Sequence, residues 1–105
     1  MAVLGILKGA TGTPGATAEI AILQYTIDIA SVGAAAAADT TVTATGEVVA
    51  GDYILFLTGP AALAAVTVQE CHTVVADSFK VRVYNGSAGA VDPASGLFTF
   101  LRVRP

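Results

Sequence analysis

Residues 79–104 read FKVRVYNGSAGAVDPASGLFTFLRVR, and the parsing of this stretch decides the fold. Its first run sets Phe79, Val81 and Val83 against Lys80, Arg82 and Tyr84; its last sets Leu101 and Val103 against Arg102 and Arg104. A period of two marks a half-buried β-strand. The Gly/Ala/Ser-rich segment between them, with its single Asp92-Pro93, reads as a loop. Paired as a hairpin with the apolar sets on one face, the two strands place Lys80, Arg82, Arg102 and Arg104 together on the other. Like charges side by side on a sheet repel, so this stripe requires an acidic partner. Two partners stay open: a neighbouring strand carrying Asp28, or another protein.

Outward from this stretch the same period recurs. In LQYTIDIA (23–30), Leu23, Tyr25, Ile27 and Ile29 alternate with Gln24, Thr26 and Asp28, a half-buried strand. TTVTATG (40–46) is rich in β-branched residues and reads as a strand, whereas GAAAAAD (33–39) is too short for a helix and reads as a connector. Gly51-Asp52 supplies a turn into DYILFLT (52–58), which is apolar on both faces, as in a central strand covered on each side. GPAALAA (59–65) suggests one helical turn. VTVQECHTVVA (66–76) reads as a strand kinked or bulged near Cys71-His72, and Asp77-Ser78 turns the chain into the next. Six or seven short strands with no long helix predict an all-β domain over residues 19–105, a compact sandwich or small barrel. Residues 1–18, Gly/Thr/Ala/Pro-rich behind the apolar AVLGIL, read as an extended N-terminal arm. Its Val3, Leu4, Ile6 and Leu7 form a tip suited to lying on a neighbour.

Composition narrows the function. At 105 residues the chain is one domain. Charged residues make up 12%, against a usual share of about 25%. Such a chain has little with which to cover an isolated surface, and burial against other chains is expected. A net charge of −3 sets bulk electrostatics against nucleic acid. No window reaches the roughly 18 apolar residues of a membrane span, and no cationic segment precedes the short N-terminal apolar run, so neither a membrane partner nor a signal peptide is expected. The single cysteine, Cys71, excludes an internal disulfide.

Catalytic candidates run out quickly. His72 is the only histidine; Cys71 beside it suggests a nucleophile and base, but adjacent side chains on a strand point to opposite faces. The reading taken is a small buried thiol beside an edge-facing imidazole. Of the eight acids, Asp39, Asp52, Asp77 and Asp92 fall beside turns, where carboxylates accept backbone N–H bonds. Neither a facing carboxylate pair, a calcium loop nor a P-loop is present. No enzyme, metal site or cofactor is expected.

Residues 40–103 carry a resemblance. The Gly51-Asp52 turn before an apolar strand, the Ala76-Asp77-Ser78 turn before the next, Asn85 ending a strand, the loop with Ala88 to Pro93, and the aromatic strand with Phe98 to Phe100 together resemble a group of small virion proteins of tailed phages. The resemblance implies a β-sandwich decoration (cement) protein on the outer capsid surface, made in the host cytoplasm. It implies binding as a homo-oligomer, often a trimer, that ties neighbouring major capsid subunits together, and it brings no catalytic residues. Within that reading the loop at 86–95 is a contact loop, with Asn85, Asp92 and Pro93 among the partner-contact residues beside the arm tip and the four basic groups. Two alternatives stand beside it: a tail or fibre adaptor, and a carbohydrate- or receptor-binding sandwich using Tyr84, Phe98 and Phe100.

Overall fold

A computed structural model describes residues 18–60, 63 and 65–105. Its six strands are β1 (Glu19–Ile27), β2 (Ala36–Thr43), β3 (Tyr53–Thr58), β4 (Val66–Val75), β5 (Ser78–Asn85) and β6 (Gly96–Arg104). They form two three-stranded antiparallel sheets, ordered β1-β6-β3 and β2-β5-β4. The chain folds as the sandwich of the two expected architectures, without an α-helix among the described residues. The arm with Val3, Leu4, Ile6 and Leu7, and residues 61, 62 and 64 of the helical turn expected at 59–65, lie outside those residues.

The hairpin expected between the two basic runs does not form. β5 is the centre of one sheet and β6 the centre of the other. The orientation of β6 is also the reverse of that expected. Phe98 and Phe100 are fully buried, and Arg102 and Arg104 follow them on the inward side, while Leu97, Thr99, Leu101 and Val103 face outward. The energetics explain the choice. Burying two phenylalanines contributes roughly 2–3 kcal/mol each, more than Leu101 and Val103 would return. The inward arginines are tolerated because acids reach them, Glu19 at Arg102 and Asp52 at Arg104.

Phe79 and Phe100 meet edge to face across the two sheets, 5.1 Å between centroids, and Tyr25 lies 6.1 Å from Phe79. Val81 and Val83 of β5 and Leu23 and Ile27 of β1 complete the core. β3 is an edge strand, not a central one: Ile54 and Phe56 pack inward, but Tyr53, Leu55 and Leu57 are exposed. The alanine connector also gives way, since β2 already begins at Ala36 after a left-handed Ala35.

Both expected turns are present. Asp52 N–H donates to the Val49 carbonyl across a turn whose Gly51 has φ +93°, the left-handed position that favours glycine. Asp77, itself at φ 69°, docks the β4–β5 turn on the β2–β3 loop: its N–H reaches the Val48 carbonyl and its carboxylate accepts from Gly46 N–H. β4 breaks register twice, between Val68 and Glu70 and between His72 and Val75, so the irregularity expected near Cys71-His72 is there.

Candidate partner-contact surfaces

Charge on the outer face of β2-β5-β4 is set by cross-strand register. Asp39 and Glu70 flank Arg82 on its two sides. The guanidinium donates to Asp39 at 3.0 Å and to Glu70 at 2.7 Å, and His72 Nε2 lies 3.1 Å from the same Asp39 carboxylate. Arg82, then His72, hold the Asp39 carboxyl below the usual carboxylate range. Lys80 sits one row along, between Thr41 and His72, without an ion pair among the described residues.

The other two arginines close one end of the sandwich. Arg104 binds Asp52 through two bonds, 2.8 and 2.9 Å, and this pairing depresses the Asp52 carboxyl. Arg102, buried, donates to the Glu47 carbonyl at 2.7 Å and to Glu19. The acidic partners of the three arginines are therefore internal, but they are Asp39, Glu70, Glu19 and Asp52. Asp28 takes part in no ion pair among the described residues. The four basic residues also fail to form one stripe, because Lys80 and Arg82 lie on one sheet and Arg102 and Arg104 inside the other.

The expected contact loop is tied inward. Asn85, with no exposed surface, donates its amide to the carbonyls of Val32, Gly33 and Gly89 and accepts from Ser87 N–H and Oγ. Val32 and Val91 exchange both backbone bonds, at 2.7 and 2.9 Å. Pro93 is buried. Asn85 and Pro93 thus hold the loop to the domain and offer nothing to a partner, whereas Asp92 and residues 88–90 are exposed. Nothing in the loop's composition marks Asn85 as its hub; the signal was its place at a strand end before Gly86, where an Asn side chain organises a turn.

Cys71 and His72 point to opposite faces, as expected, with the thiol partly rather than fully buried. Cys71 pairs in register with inward Val81 and packs on the core, and His72 pairs with outward Lys80. Burial pushes the thiol up to about 11. Among the described residues no cluster of three metal-ligating side chains exists. A cleft of about 300 Å³ between β1 and β2 is lined by Tyr25, Asp28, Thr40 and Val42. Phe98 and Phe100 are 1% and 0% exposed, which removes them as sugar-stacking aromatics.

The feature that sequence reasoning missed is the outer face of β1-β6-β3. Cross-strand register sets Ile20, Val103 and Tyr53 in one row and Ile22, Leu101 and Leu55 in the next, with Gln24 and Thr99 beyond them. Tyr53 is 61% exposed, Ile22 58% and Leu55 52%. Leu57 and Leu97 extend the patch, and none of its outward strand residues is charged. Its signal lay in DYILFLT: an edge strand apolar on both faces presents one of them to solvent unless something covers it. No family model, curated protein or solved structure matches the chain.

Proposed function

We propose that this protein is a structural subunit that works by lying against its neighbours, and that it decorates and cements the outer surface of a tailed-phage capsid. The observation that carries the reading is the uncharged apolar face of β1-β6-β3, on a domain whose arginines are neutralised internally. A patch of this size on a small domain is the mark of an interaction surface. The phage setting is supported by the resemblance over residues 40–103 and by the two turns and aromatic strand that carry it. In this role the sandwich binds as a homo-oligomer and bridges major capsid subunits, using the exposed tip of the 86–95 loop and the arm as additional contacts.

A density map of particles carrying the protein tests this. Density for the sandwich at icosahedral shell sites is expected, with particles lacking the protein losing heat or chelator resistance. Density confined to the tail would replace this reading with the adaptor one. Specific glycan binding by the isolated protein would favour the receptor-binding alternative, for which half-buried Tyr84 is the one of its three aromatics left with exposed surface, and Tyr53 a further exposed ring.

A further inference from the structure

The uncovered face of β1-β6-β3 has a composition that selects among occupants. Outward residues of its three strands are apolar or uncharged polar, with Ile22, Tyr53, Leu55 and Leu97 each more than half exposed. An independently soluble partner is commonly met through complementary charge, and this face presents no charge to steer or pair with one. Interfaces between identical subunits are the more apolar class. The opposite outer face, with Asp39, Glu70, His72, Lys80 and Arg82, is chemically unlike it. A head-to-tail contact of one sheet on the other would bury those charges against hydrocarbon. The match for the apolar face is the same face of another copy.

Extent agrees. Side chains about half exposed or more run across all three strands, Ile22 on β1, Leu97 on β6 and Tyr53, Leu55 and Leu57 on β3, a whole sheet face of the kind that packs on another sheet. We infer that the outer face of β1-β6-β3 is a self-complementary two-fold interface, through which two copies pack sheet on sheet into a dimer. Such packing brings the two inner faces about 10 Å apart with interdigitating side chains, and a contact of one patch with itself closes at two copies. The inference rests on the reading that this face is covered by protein. It does not depend on the phage setting, and it makes the pair, not the trimer, the unit that occupies a shell.

The test uses the full purified chain, without capsids, so that its failure is separate from failure of the capsid reading. Light scattering should give twice the chain mass of 10.5 kDa, and the melting temperature should rise with protein concentration, as it does when folding and association are linked. Leu55→Glu should weaken association by about 100-fold or more while keeping the β-type circular dichroism. Thr41→Glu, on the exposed outer side of β2, should leave the dimer intact. A monomer at high concentration, a trimer, or a dimer indifferent to Leu55→Glu would each overturn the inference. If Leu55→Glu does not fold, Ile22→Lys and the concentration dependence of wild-type melting decide in the same way. A monomer that binds shells would refute the dimer and leave the capsid reading standing; a dimer that ignores shells would do the opposite.

Discussion

Asn85 shows how much one side chain holds. Its amide has two hydrogens and one oxygen, and all are engaged, with Val32, Gly33 and Gly89 carbonyls on one side and Ser87 on the other. Asn85→Asp keeps the shape but removes the donor and sets a charge among three carbonyl oxygens. Unfolding experiments should show a loss of about 3 kcal/mol or more, the cost of buried groups left unpaired. A loss below about 1 kcal/mol would mean the loop is held elsewhere. Thr73 makes the opposite case. A β-branched residue at φ 49°, in the second irregularity of β4, is strained. Thr73→Asn, a residue that tolerates this conformation, should raise stability by about 1 kcal/mol in the same measurement. Neither role is visible in a list of residue types, since both arise from where the backbone has already been placed.

At the scale of elements, period two located β1, β5 and β6 because alternation is imposed by the pleat itself, while β-branched residues marked the second half of β2 and a continuous apolar run marked β3. Alternation did not settle which side of β6 faces inward. Phe98, Phe100, Arg102 and Arg104 share one parity and Leu97, Leu101 and Val103 the other, so each side is partly apolar. Only Glu19, Asp52 and the Glu47 carbonyl, brought from β1 and the β2–β3 loop, make the inward arginines affordable. Long-range partners of this kind leave no local trace, and for the same reason the β5–β6 hairpin looked plausible. The pairing predicts an asymmetric response at Arg102. Both variants lose the bond to the Glu47 carbonyl, but Arg102→Ala also leaves a cavity and should cost about 3 kcal/mol, while Arg102→Met retains the packed stem and should cost about 1 kcal/mol. Chemical denaturation midpoints will show whether the two differ.

For the whole molecule, the distribution of charge is the main result. Asp52 and Asp39 have folded-state carboxyls held below the ordinary value by Arg104 and by Arg82. A depressed carboxyl contributes stability that is present above the unfolded value of about 3.9 and is lost as pH falls through the folded value. Melting temperature should accordingly be flat from neutral pH to about 5 and fall steeply below about 4, and Asp52→Asn should flatten part of that fall. With its arginines ion-paired internally, the molecule faces outward with one charged sheet and one apolar sheet. The sparse charge in the sequence pointed to a covered exterior; which sheet is apolar on its outer face needed the register of β1, β6 and β3. Hydroxyl-radical footprinting of Tyr53 in the full chain tests this most directly. The account predicts protection at working concentration that is lost on dilution, with restored protection on assembled particles. A Tyr53 equally reactive under all three conditions would contradict it.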